Sequence, residues 1–390
     1  MAVPRWVGYC TNVHAGANLE QTRANLQQHA TLVREKLGDE GPLGVGLWLS
    51  ASTAKSLLEP GGLPEFREWL QSVSLLPYTL NGFPYGDFHE TVVKHKVYRP
   101  TWWETPRKEY TLDLIEILHQ LLPEGAVGSI STLPLGWPDP QPTAEQLATA
   151  ASNLQAVAKH LEKLEQETGR LIHINIEPEP GCLIDTTEDM IRFFTEHLFT
   201  GPAGKSVGRY LRVCHDVCHA AVMFEPQATV LSQYREAGIQ IGKVQVSSAI
   251  EITFGQQGDP NTPKILAQLG EFAEDRYLHQ TMVHTADGVQ TLHEDLPPLL
   301  ALAKDQSPAN QTWRIHFHLP IYLTDAGHLG TTQGQILEFL EAAKQDSEIS
   351  HYEVETYAWS VLPARLQQAD LASGIAEEIR WLREQLPDGT

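Results

Sequence analysis

The stretch Ile172-His-Ile-Asn-Ile-Glu177 alternates strictly, with isoleucine at 172, 174 and 176 and a polar side chain at 173, 175 and 177. Side chains on a β-strand point alternately to opposite faces, so His173, Asn175 and Glu177 share one face and the isoleucines the other. The next such run, Leu211-Arg-Val-Cys-His-Asp216, sets Arg212, Cys214 and Asp216 opposite Leu211 and Val213. Further along, Lys243, Gln245 and Ser247 stand opposite Val244 and Val246, and Arg314, His316 and His318 opposite Ile315 and Phe317. In Tyr352-Glu-Val-Glu-Thr356 the pair sharing a face is Glu353 and Glu355. Near the start of the chain Asn12 and His14 share a face, and Asn81 ends its strand. A barrel strand must be apolar toward its helices, while its inward face turns polar near the C-terminal mouth, where barrel enzymes keep their chemistry. Repeated strands that each end in a carboxylate, imidazole or amide fit that arrangement better than scattered solvated positions do.

Outward from these runs, short β-branched or aromatic segments alternate with helical ones, as in parallel βα units. Strands are expected at Arg5–Asn12, Val45–Ser50, Leu76–Asn81, Val127–Thr132, Leu171–Glu177, Tyr210–Asp216, Ile241–Ser247, Tyr277–His284, Trp313–His318 and Tyr352–Thr356. Helices are expected at Leu19–Leu37, Thr143–Thr168 and Pro363–Leu386, among others. A closed barrel takes eight strands, so two of these runs belong to an insertion, placed around residues 253–312. No G-x-G-x-x-G turn follows the first strand, which disfavours a doubly wound sheet. The expected fold is α/β, a single (β/α)8 TIM barrel over residues 1–390, with an insertion between strands 6/7 and 8.

Of the 390 residues 42% are hydrophobic, enough for a large core, and 28 basic residues against 49 acidic ones leave a net charge of −21. That deficit argues against binding nucleic acid or an anionic membrane surface, both of which call for a basic footprint. A small metabolite, or a cation held by carboxylates, fits better. No charged n-region with an apolar h-region opens the chain, and no apolar run approaches the ~18–20 residues that span a bilayer. Four cysteines (Cys10, Cys182, Cys214, Cys218) make no disulfide framework, so a reducing cytoplasm is the default.

Glu177, Asp216 and Glu355 converging at one mouth would repel one another and call for a compensating cation. A divalent metal is therefore expected there, with Gln245, His316 or His318 completing the shell. Mixed carboxylate and imidazole donors suit Mn²⁺, Mg²⁺, Zn²⁺ or Co²⁺. The alternative is a set of salt bridges from Arg212, Lys243 and Arg314. The segment Cys214-His-Asp-Val-Cys-His219 is no zinc knuckle, because no second Cys/His pair follows at suitable spacing. Nor is it a c-type haem motif, since three residues separate its cysteines. Its informative part is Asp216-x-x-His219. Glu177-Pro-Glu-Pro-Gly181 would hold Glu177 and Glu179 in fixed positions. The loop Leu80-Asn-Gly-Phe-Pro-Tyr-Gly-Asp-Phe-His89 could form a lid bearing Tyr85 and His89, followed by Arg99, Trp102, Trp103 and Arg107 as contacts for an anionic or aromatic ligand. Candidate substrate-binding residues are His14, Asn81, Tyr85, His89, Glu179, His219 and His316.

The order strand-Glu, Asp-x-x-His, a later imidazole or amide, then a final strand-Glu resembles the xylose-isomerase-like barrel superfamily, with its sugar epimerases and endonuclease IV branch. Several segments more closely resemble the EboE family, metabolite-traffic barrel proteins of the bacterial ebo cluster. They are Gly8-Tyr-Cys-Thr-Asn-Val-His14, Asn81-Gly-Phe-Pro-Tyr-Gly86, Ser129-Ile-Ser-Thr-Leu-Pro134, Glu177-Pro-Glu-Pro180, Cys214-His-Asp-Val-Cys-His219 and His316-Phe-His-Leu-Pro320, spread over nearly the whole chain. The resemblance implies Glu177 as the fifth-strand glutamate, Asp216 as the sixth-strand aspartate, His219 as the imidazole after it and Glu355 as the eighth-strand glutamate. The seventh-strand donor is either Gln245, by its distance after Asp216, or His318, by its distance before Glu355. The resemblance also implies handling of a secondary-metabolite precursor, with other ebo-cluster proteins as partners.

Three functions follow from these readings. The first is a metal-dependent isomerase or epimerase of a sugar, polyol or related carbonyl compound, in which Glu177 and Glu355 are catalytic and exchange protons with the substrate. The others are a non-catalytic metabolite carrier using the same pocket, and a metal-dependent hydrolase, which would want a second ion.

Overall fold

The computed structural model describes residues 5–39, 41–200, 204–344 and 346–386. Its centre is a closed barrel of eight parallel strands: β1 (Trp6–Cys10), β2 (Leu43–Trp48), β3 (Leu75–Asn81), β4 (Gly128–Thr132), β5 (Ile172–Ile176), β6 (Leu211–Asp216), β7 (Ile241–Val246) and a last one, His351–Val354. β1 pairs with both β2 and the last strand, which closes the ring. The fold is thus the (β/α)8 barrel expected from the alternation. His215 shows the alternation from the outward side: its Nε2 meets Gln227 Oε1 at 2.7 Å, and its ring stacks on Phe339 of the helix Gln333–Ala343.

Between β7 and the last barrel strand the chain builds a second, antiparallel sheet. Its strands are β8 (Ser248–Phe254), β9 (Thr281–Thr285), β10 (Gln290–His293), β11 (Gln311–Leu319), β12 (Asp325–Ala326) and β13 (Leu329–Thr331), so the last barrel strand is β14. The expected runs Tyr277–His284 and Trp313–His318 are β9 and β11 of this sheet. β8 was not foreseen, because a single residue separates it from β7 and the two read as one apolar stretch. β11 pairs with β8 and β9, and its register with β8 shifts between Ile315 and Leu319. Such a shift bends a strand and re-aims its side chains. The residues crossing it are His316, Phe317 and His318.

The helix Ala144–Thr168 starts as its sequence dictates: Thr143 and Gln146 form a reciprocal capping box, which satisfies donors at the helix start. The last helix is shorter than expected. It spans Leu371–Gln385, because Asp370 caps it by accepting from Ser373 N–H. Arg107 and Trp102 are core residues rather than ligand contacts. The Arg107 guanidinium is buried and donates to the carbonyls of Gly82, Phe83 and Pro100, which pins the loop after β3. Trp102 donates to Thr132 Oγ1 at 3.2 Å.

Glu378 of the last helix is fully buried, and its carboxylate accepts from Ile321 N–H at 3.1 Å and Thr356 O–H at 2.6 Å. It therefore ties down the segments just after His318 and Glu355. Burial pushes its carboxyl up to about 7, against the pull of those hydrogen bonds. A carboxyl raised in the folded state gives its full stability below its unfolded value and loses it as pH rises through about 7. Between pH ~4.5 and 7 this costs about 1.4 kcal/mol per unit. Urea midpoints of Glu378→Gln should therefore fall less steeply than wild type across that window; parallel slopes would remove Glu378 as the cause.

Candidate metal centre

Glu177 follows β5, Asp216 ends β6 and Glu355 follows β14, so three strand ends carry three carboxylates to the same mouth. One oxygen from each lies within 4.8 Å of the others, and all three residues are buried. None of the expected cations neutralises them. Lys243 lies 2.6 Å from Glu353 deeper in the barrel, Arg314 pairs with Glu251 at 2.7 Å, and Arg212 donates to Arg209 O. Among the described residues no Lys or Arg forms an ion pair with Glu177, Asp216 or Glu355, so the salt-bridge alternative fails on geometry.

Glu355 is oriented by two amides: Asn12 Nδ2 donates to Oε1 at 2.7 Å and Asn81 Nδ2 at 3.2 Å. Asp216 Oδ1 accepts from Ser247 O–H at 2.6 Å and from His219 N–H at 3.0 Å. That leaves Asp216 Oδ2 and Glu177 Oε2 buried and without a hydrogen-bond partner among the described residues. Gln245, register neighbour of both Asp216 and Glu353, has neither its oxygen nor its nitrogen bonded. Unsatisfied buried polar atoms cost about 1–3 kcal/mol each, more when charged. Several of them facing one mouth fit a cation and its waters.

The electrostatics agree. Burial first, then Asp216 and Glu179, push Glu177 up to about 8, while His219 and Lys243 pull the other way. Glu355 is raised well above the carboxylate range by burial, then by Glu177, Asp216 and Glu353. Burial would raise Asp216 too, but His219, His318 and its hydrogen bonds hold it low. Burial alone would lower His219; Asp216, Glu179 and Glu177 outweigh it and raise the ring.

Three imidazoles stand beside the carboxylates, each with one nitrogen spent. His219 Nδ1 meets Pro178 O at 2.7 Å, His318 Nδ1 meets Glu355 O at 2.6 Å, and His316 Nδ1 meets Gln280 Oε1 at 2.9 Å. Carbonyl oxygens only accept, so each Nδ1 carries the hydrogen. The Gln280 amide is fixed in its turn, because its nitrogen donates to Glu179 Oε1 and Tyr98 O. Each Nε2 is thereby left facing the cluster: His219 Nε2 lies 3.7 Å from Asp216 Oδ2, and the Nε2 atoms of His316 and His318 lie 3.2 Å apart. This is the ring orientation that outer-shell acceptors impose on metal-binding histidines.

Both candidates for the seventh-strand donor are present. Gln245 lies on β7, and His318 arrives from β11 of the second sheet. Asn81, Glu179, His219 and His316 line the same cavity of about 60 Å³, together with Glu177, Glu355, His318, Tyr98 and Tyr357. A cavity of that size takes an ion with a few waters or a small polyol. His14, Tyr85 and His89 lie outside that lining. His14 bonds Tyr9 O and stacks on His29 elsewhere, because its strand parity carries it past the end of β1 into a helical turn. Tyr85 packs on Tyr110 and Arg107. His89 backs the site, its Nε2 lying 2.6 Å from the carbonyl of Asn12, the residue that orients Glu355. Sequence reasoning missed Gln280, Tyr98 and Cys218. Gln280 lies one residue before β9, in a run read as strand from Tyr277, and Tyr98 ends a short 3-10 helix, Lys94–Tyr98, so the expected alternation pointed to neither. Cys218 was seen only as part of a motif set aside.

No protein-family model matches the chain, and no curated protein does. Among solved structures, it is similar over 99% of its length, and 97% of the other chain, to a xylose isomerase-like TIM barrel protein from Mycobacterium smegmatis in complex with magnesium (12% identity, TM-score 0.51). It also aligns with the apo form of the 3-keto-D-glucoside 4-epimerase YcjR from E. coli (13% identity, TM-score 0.45, 97% of this chain and 99% of that chain). At such identities the first likeness shows the xylose-isomerase-like barrel fold. Among the described residues no helix is long and apolar enough to cross a membrane.

Proposed function

We propose that this protein is a metal-dependent isomerase or epimerase of a small sugar-like or polyol-derived carbonyl compound. Its divalent ion would be held by Glu177, Asp216 and Glu355, with the Gln245 amide oxygen as fourth donor. The observation that carries the reading is the pair of buried oxygens without a hydrogen bond, Glu177 Oε2 and Asp216 Oδ2, beside Glu355. Among the described residues no Lys or Arg pairs with them, and the nearest cationic group to Asp216 Oδ2 is His219 Nε2 at 3.7 Å. Oxygen-rich ligand sets suit Mg²⁺ or Mn²⁺, and the fold shared with a magnesium-bound barrel supports that choice.

When bound, the ion would polarise the vicinal oxygens of a hydroxy-carbonyl substrate and acidify the hydrogen on the hydroxyl-bearing carbon next to the carbonyl. Glu177, with one oxygen unbonded, takes that proton. Glu355, aimed by Asn12 and Asn81, returns one to the opposite face, which gives epimerisation, or to the neighbouring carbon, which gives isomerisation. Glu179, held by Tyr98 and Gln280, orients substrate hydroxyls, and His219 and Tyr357 close the cavity wall. The motif-level resemblance to EboE proteins supports a secondary-metabolite precursor as the physiological substrate class, with other proteins of such a cluster as partners.

The test is incubation of the protein with a panel of ketoses and keto-glycosides in D₂O. Deuterium should appear at the carbon next to the carbonyl for at least one of them, and chelation should stop it. An ion-loaded protein that exchanges no member of the panel would turn the reading toward a metabolite carrier.

A further inference from the structure

We infer that the inserted sheet builds a second, softer metal site beside the carboxylate one, from Cys218, His316 and His318. The three residues are buried and present one sulfur and two ring nitrogens within 4.8 Å of one another. The motif Cys214-x-x-x-Cys218-His219 lacks a second Cys/His pair nearby in sequence, and β11 supplies one, His316 and His318, about a hundred residues later. This site rests on its own ligands and stands or falls apart from the epimerase reading.

Proton counting favours an ion over a packed core. His316 Nε2 and His318 Nε2 lie 3.2 Å apart. A hydrogen bond between them needs one Nε2–H, yet both rings already place their hydrogen on Nδ1, facing Gln280 Oε1 and Glu355 O. Two lone pairs therefore meet in a buried place unless a cation lies between them. Two nitrogens bound at ~2.0–2.1 Å in a tetrahedral shell stand about 3.3 Å apart, close to the distance found.

Cys218 closes the third side. Its backbone N–H donates to Ser247 Oγ, which in turn donates to Asp216, so the two sites share one scaffold. On its other side it clusters with Val222, Ala249 and Met282, which keep water from the sulfur. Binding would replace the thiol proton by the ion, with release of one H⁺. A thiolate with two imidazoles selects Zn²⁺ or Co²⁺ over Mg²⁺. Three protein ligands leave a fourth position, as in catalytic rather than structural zinc sites. Since His316 and His318 line the cavity, that position would face it.

Cobalt serves as the probe, loaded into chelator-stripped protein. Two equivalents per chain and a thiolate-to-cobalt charge-transfer band in the near ultraviolet are expected of the wild type. Cys218→Ser should lose the band and bind about one equivalent, while Glu177→Gln should keep the band. Cobalt bound without a band overturns the soft site and leaves the carboxylate ion standing. One equivalent with the band supports the soft site and removes the carboxylate ion, and no cobalt at all overturns both. A band that persists in Cys218→Ser also overturns the assignment. The wild-type spectrum decides even if a variant fails to fold.

Discussion

Glu177→Gln should lower proton exchange into substrate by about 10²–10⁴-fold, the usual contribution of a positioned acid–base group, while leaving the barrel folded. The amide keeps the shape of the side chain but can neither take a proton from carbon nor supply an anionic ligand. The same substitution should raise the stability of the ion-free protein. Burial and the neighbouring carboxylates hold Glu177 up to about 8. The sign follows from linkage: stability is fully present below the unfolded carboxyl value and lost as pH rises through about 8. At pH 8 the chelated variant should therefore melt above chelated wild type, and the difference should vanish near pH 4. With the divalent ion bound, the order should reverse, since the ion favours the ionised carboxylate. A variant that loses exchange but melts below wild type in chelator would show Glu177 to be a structural residue.

Lys243→Met should be the most destabilising single change in the barrel. Lys243 Nζ lies 2.6 Å from Glu353 Oε2, and both side chains are fully buried. Room for this carboxylate exists only because residue 46 is glycine: a Cβ there would stand 1.2 Å from Glu353 Oε1. Removing the lysine strands a buried charge, at a cost of about 3–5 kcal/mol. Replacing the pair by Lys243→Met with Glu353→Leu should recover most of that loss, because an apolar pair of similar volume pays no desolvation penalty. Denaturant midpoints of wild type, single and double variants measure both effects. A double variant as unstable as the single one would mean that the cost is packing rather than charge.

The alternation at 172–177 and 211–216 placed Glu177 and Asp216 correctly because strand parity is local: two neighbouring residues cannot share a face. The same logic brought Glu355 to them, and it set Gln245 in register with Asp216. It failed at His14, where the chain turns after Cys10 and parity no longer holds. It left the seventh-strand donor open because β11 alternates like a barrel strand while belonging to another sheet. Tyr85 was read as part of a lid from its strand-end loop, and Arg107 as a ligand contact from its residue type. Yet Tyr85 packs on Tyr110 and Arg107, and Arg107 pins the loop from behind.

By itself, the sequence determined the parallel barrel and its inward carboxylates, and it set up the expectation of a cation among them. Each of these follows from a two-residue period and from the cost of burying like charges. Only the tertiary structure decided that no Lys or Arg among the described residues forms an ion pair with those carboxylates, and that His318 reaches the mouth from the second sheet while Gln245 lies beside Asp216 on β7. It also decided that Cys218 meets two histidines from β11. Those juxtapositions depend on how a second sheet folds over the barrel, and contacts across so many residues leave no trace in local periodicity.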